Sequence, residues 1–121
     1  MSNYKTLEVW KNSMQLVKNV YSAIKEFPKD ELYGLTAQIK RAAVSIPANI
    51  AEGLGRQTKK DTIHFLHISR GSLYELDTLL NIAFLNGLFP EPKYLELNSQ
   101  IVKTLQILNG FINYNQKADL K

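Results

Sequence analysis

Asp61, His64 and His67 follow one another at steps of three, so on a helix they share one side and have the donor types of a metal site. Helical bundles that hold two iron ions take Glu-x-x-His motifs from two different helices, with further glutamates. Here both histidines fall on one helix and no second motif accompanies them, so neither a metal nor another cofactor is expected. The chain has no cysteine, which excludes thiolate zinc sites, iron–sulfur clusters, disulfides and a cysteine nucleophile. Gly53-Leu54-Gly55 is too short for a dinucleotide fingerprint and follows no strand. Glu75 and Asp77 diverge around a helix instead of converging as an acid–base pair. No catalytic residue is assigned, and the expectation is a protein that is not an enzyme.

Charge is the better-marked feature. The formal net charge is +4, but residues 36–60 alone carry Lys40, Arg41, Arg56, Lys59 and Lys60 against the single acid Glu52. Residues 61–92 have Arg70 against four acids, so the basic excess gathers on one segment. Those five cations are the candidate nucleic-acid-binding residues, since phosphate neutralisation supplies affinity without sequence preference. Lys11, Lys18 and Lys25, at steps of seven, add a row on the outer face of the first helix. Arg41, Ser45, Asn49, Glu52 and Arg56 form a polar stripe past Pro47. A proline inside a helix frees a carbonyl, so Ser45 and Asn49 are expected to serve freed carbonyls and Arg41 and Glu52 to bond across a subunit interface. Ser45, Pro47, Asn49, Glu52 and Gly53 are accordingly read as structural or interface residues.

Four amphipathic patterns position these groups. Leu7, Trp10, Met14, Val17, Tyr21 and Ile24 predict the first helix, broken at Phe27-Pro28, with Asp30 as a candidate cap for the next. Leu35, Ile39, Ala42, Ile46 and Ile50 predict the second, kinked or widened at Pro47 and ending near Gly53 and Gly55 in left-handed cap geometry. Thr58 with Asp61 resembles a capping box and opens the longest pattern, Leu66, Ser69, Leu73, Leu76, Leu80 and Ala83, closed by Asn86-Gly87. Beside it Phe65, Ile68, Leu79 and Ile82 make a second apolar line, which calls for burial by another subunit. Leu97, Ile101, Leu105, Leu108 and Ile112 predict the fourth helix, with Gln116 to Lys121 as a frayed tail. The aromatic residues fall mostly on apolar stripes, with Tyr33, Tyr74 and Tyr94 as interface candidates. The 121 residues make one domain, an all-α, antiparallel up-down-up-down four-helix bundle. No run of about 18 apolar residues is present, and the N-terminal stretch reads as the start of an amphipathic helix instead of a signal peptide. No membrane association and a bacterial-type cytoplasmic location are expected.

The block Arg41-Ala42-Ala43-Val44-Ser45-Ile46-Pro47-Ala48-Asn49-Ile50-Ala51-Glu52-Gly53, the block Gly71-Ser72-Leu73-Tyr74-Glu75-Leu76, and the elements Val9-Trp10 and Tyr33-Gly34-Leu35 resemble the four-helix-bundle proteins encoded in intervening sequences of bacterial 23S ribosomal RNA genes. The resemblance covers nearly the whole chain and implies a homopentameric ring without known catalytic activity. The accessory protein of diversity-generating retroelements is similar too, and implies RNA or DNA and a reverse transcriptase as partners. Two functions follow as expectations: a nucleic-acid-associated protein using the basic surface, or a protein–protein scaffold that binds no nucleic acid.

Overall fold

The computed structural model describes residues 3–31 and 34–118. Its helices are α1 (Glu8–Ile24), α2 (Leu35–Leu54), α3 (Lys59–Leu85) and α4 (Glu91–Ala118), with 3-10 turns at Tyr4–Thr6 and Lys29–Glu31 and no strand among the described residues. α1 packs on α2 and α4, and α3 packs on the same two helices. Direction follows from the pairs that bond between helices. Thr62 meets Gly53 and Ser69 meets Ile46, while Arg70 meets Asn109 and Asn81 meets Tyr94, so rising numbers on one helix face falling numbers on the next. Phe27, just beyond α1, stacks on Phe89 ahead of α4 with ring centroids 5.6 Å apart, so α1 ends where α4 begins. The bundle is therefore up-down-up-down.

The stripes expected for α2, α3 and α4 form the core: Ile39, Ala42, Ile46 and Ile50 face Leu66, Ser69, Leu73, Leu76, Leu80 and Ala83, with Leu97, Ile101, Leu108 and Ile112 beside them, all buried. In α1 the buried line lies one step around from the expected one. Val9, Ser13, Leu16, Val20 and Ala23 point inward; of the expected line Ile24 is buried and Leu7, Trp10 and Val17 are partly buried against the core, whereas Met14 and Tyr21 are 42% and 36% exposed. The aliphatic side chains take the dry centre, and the thioether and the phenol, which tolerate water better, take the edge. Tyr21 there lies beneath the Lys40 ammonium, 5.3 Å from its ring centroid. The second apolar line of α3 is outward in part, with Ile68 39% and Ile82 42% exposed.

Chain reversals depend on local bonding more than on residue type. Thr58 Oγ1 accepts from the Asp61 N–H at 3.1 Å, as its motif predicts. Asp30 lies in a 3-10 turn and does not cap α2, whose N-cap Gly34 supplies no side chain. Neither Gly53 nor Gly55 is left-handed; Gly55 has φ −89° and Gly53 is buried inside α2. The left-handed glycine is Gly87, φ 73°, where Gly87 N–H bonds to Phe84 O and Leu88 N–H to Ala83 O, closing α3 in a Schellman motif. α2 is helical on both sides of Pro47 without interruption. α4 continues through Gln116 and Lys117, where the sequence suggests fraying, and residues 119–121 lie outside the described residues, as does Tyr33. Because a Cβ at Gly87 meets no atom within 4 Å, Gly87→Ala should cost only the left-handed conformation, about 1 kcal/mol. Gly71→Ala, also in open space but within a helix, should instead stabilise by up to about 1 kcal/mol. Urea titration of the two variants checks both signs.

Candidate nucleic-acid interface

The polar stripe of α2 resolves into two separate devices. Near its middle, Ser45 Oγ lies 2.8 Å from Ser72 Oγ of α3, and Asn49 Nδ2 donates at 2.8 Å to both Ser45 O and Ser45 Oγ. One turn away Ser69 Oγ donates to Ile46 O at 2.8 Å, and at the end of α2 Thr62 Oγ1 donates to Gly53 O at 2.8 Å. Pro47 has no N–H for the Ala43 carbonyl, and the side-chain donors serve the carbonyls of Ser45, Ile46 and Gly53 instead. Gly53 is required for proximity: a Cβ there would sit 2.9 Å from Phe65 Cβ and 3.1 Å from Thr62 O. Small residues thus bring α2 and α3 close enough for hydroxyls of one helix to reach backbone or hydroxyl groups of the other.

The second device is at the surface. Arg56 bonds to Glu52 Oε2 at 2.8 Å and lies over the Phe65 ring, 4.5 Å from its centroid. Glu52 is thereby paired within the chain, one turn from its partner, and the arginine lies against Phe65 of α3. Lys59 and Lys60 are exposed in the first turn of α3. The helix macrodipole is positive there, so two lysines are disfavoured by about 0.3–1 kcal/mol each. Arg56, Lys59 and Lys60 lie together, but Lys40 and Arg41 are 15 residues back along α2, about 22 Å at the helical rise. The five candidate cations therefore form two groups and not one patch.

The antiparallel bundle adds to the first group cations that linear reading did not select. The end of α4 reaches the level where α1 begins, α2 ends and α3 begins, so Lys117 joins Lys5, Arg56, Lys59 and Lys60 there against Glu8, Glu52 and Asp61. At the opposite end, Lys25, Lys29, Lys40 and Lys93 face five acids, Glu26, Asp30, Glu31, Glu91 and Glu96. Among the described residues the bundle is charge-polarised along its length. Only the helix directions reveal it, since these charges are scattered through the sequence.

The remaining candidates do not converge. His64 packs edge-on against Phe65, and His67 Nδ1 is 2.9 Å from Arg70 Nη2. Among the described residues no three His, Cys, Asp or Glu side chains are grouped to hold a metal ion. Tyr94 is engaged within the chain, stacked on Phe84 at 4.4 Å and donating to Asn81 Oδ1 at 2.7 Å, whereas Tyr74 is 52% exposed. No described helix is long and apolar enough to cross a membrane.

Residues 5–110 match the family described as "23S rRNA-intervening sequence protein". The chain belongs to the 23S rRNA-intervening sequence protein family. Among solved structures, it is similar to a protein of unknown function from the S23 ribosomal protein family of Bacteroides thetaiotaomicron, with a TM-score of 0.80 and 22% identity over 87% of this chain and 95% of that one. At that identity the likeness concerns the fold. A search of functionally curated proteins gives no match. In this member of the 23S rRNA-intervening sequence protein family, the Gly53 contact and the Ser69 bond set the spacing of α2 and α3. Gly53→Ala should lower stability by about 1–3 kcal/mol through overpacking, despite alanine's higher helix propensity. Ser69→Ala, which removes one buried bond, should cost about 1 kcal/mol. Denaturant unfolding measures both, and an unchanged midpoint for Gly53→Ala would contradict the close-approach reading.

Proposed function

We propose that this protein acts by association and not by catalysis: it binds RNA or DNA through the basic end of the bundle as a homo-oligomer. The observation that carries the reading is the gathering of Arg56, Lys59, Lys60 and Lys117 at one end, two of them in the helical turn where the dipole disfavours lysine. A phosphate placed there would meet exposed ammonium groups together with the positive end of α3.

Self-association is proposed from the outward apolar side chains of α3. Ile68, Ile82 and Leu85 are 39%, 42% and 80% exposed, and another copy of the chain would remove them from water. A pentameric ring is the assembly that the family resemblance implies, and light scattering at micromolar concentration should give a mass well above the 13.8 kDa monomer.

Fluorescence anisotropy of labelled structured RNA and duplex DNA across a salt series tests the binding reading. Affinity should fall steeply with salt, and reversing Arg56, Lys59 and Lys60 to glutamate should lower the log–log slope on duplex DNA by about 0.9 for each phosphate that is no longer neutralised. Glu52→Gln, which releases Arg56 from its partner, should tighten binding. Binding that is absent at low salt, or unmoved by the reversal, would overturn the nucleic-acid reading and leave a protein–protein scaffold, with a reverse transcriptase among the partners to test.

A further inference from the structure

Lys40, of the second group of cations, lines a cleft that the nucleic-acid reading does not use. Between the end of α1 and the start of α2 is an opening of about 430 Å³, within the size range of small-molecule sites. Its walls are apolar, built from Ile24, Phe27 and Pro28 with the ring of Tyr21, and its charged lining consists of Lys25, Lys29 and Lys40. Among the described residues no carboxylate lines it, although this end of the bundle carries more acids than bases. The cations are segregated from the acids around one apolar opening. Lysine stems extend such a wall while their ammonium groups remain at its rim, and Lys40 is already held over Tyr21.

Thr36 provides an independent sign of an absent partner. Six polar side chains are buried among the described residues, and Ser13, Thr62, Ser69, Thr104 and Asn115 each donate to a backbone carbonyl. Thr36, 5% exposed and part of the cleft lining, has a hydroxyl without any partner. A buried hydroxyl left without a partner is costly, and a bound carboxylate reaching Thr36 would supply the acceptor it lacks.

We propose that this cleft binds a small amphipathic carboxylate of the medium-chain fatty-acid class, its hydrocarbon between α1 and α2 and its head group among Lys25, Lys29 and Lys40. An apolar body fits the walls, and a single anionic head fits a rim with cations and no acid. The site does not depend on the nucleic-acid reading, because it lies at the end of the bundle away from Arg56, Lys59 and Lys60. Titration calorimetry of the full chain with decanoate, below its micelle concentration, and with the neutral decanol tests the assignment. Decanoate should bind at one site per chain and at least tenfold more tightly than decanol. The double variant Lys25→Gln/Lys29→Gln, altered only at exposed positions, should weaken decanoate at least tenfold, and Thr36→Val should weaken it as well. Absence of decanoate binding, equal affinity for decanol, or affinity unchanged in the double variant would each overturn the proposal.

Discussion

The close approach of α2 and α3 is the constraint on which the rest of the bundle depends. Three bonds cross this helix pair, from Thr62 to Gly53 O, from Ser69 to Ile46 O and between Ser45 and Ser72, and each is made by a short hydroxyl side chain that reaches the facing helix. Large side chains such as Leu66 and Leu73 fill the core on one side of this seam, while Phe65 lies beside Gly53, where a single methyl group would collide with it. The seam sets the helix spacing, and that spacing places Phe65 where Arg56 can lie on its ring. A close contact at Gly53 thus bears on where a surface arginine finds its ring.

Much of the architecture was legible from periodicity. Three of the four core stripes, the Thr58 cap and the Asn86-Gly87 stop are local patterns, each decided by residues within a turn or two of one another. The first helix was harder because its apolar arc is wide: Trp10, Met14 and Tyr21 keep the helical period as faithfully as Val9, Leu16 and Val20. Only the shape of the neighbouring core decides between adjacent lines of similar hydrophobicity. The glycines misled for a related reason. Gly53 and Gly55 have the composition of a helix stop, but a glycine required for close approach and one required for positive φ look the same in a single sequence.

The surface was less legible than the core. Lys40, Arg41, Arg56, Lys59 and Lys60 form one cluster on the linear chain, and a single helix separates them by its length. Lys117, some 57 residues beyond Lys60 in sequence, belongs with the last three of them in space. Charge has no period comparable to that of a buried stripe, so its grouping emerges only when the helix directions are known. The same holds for the cleft, whose lysines come from the connection after α1 and from α2 and have no shared motif.

Charge polarisation along the bundle also bears on symmetry. Rotation about one axis carries each copy of a subunit into the next without reversing it along that axis. In a closed ring whose bundles lie along the axis, all the cationic tips would therefore collect on one rim and all the acidic ends on the other. Such a ring has two unlike faces: a polyanion is drawn to one and repelled by the other, and two rings meeting in solution attract head to tail while like faces repel.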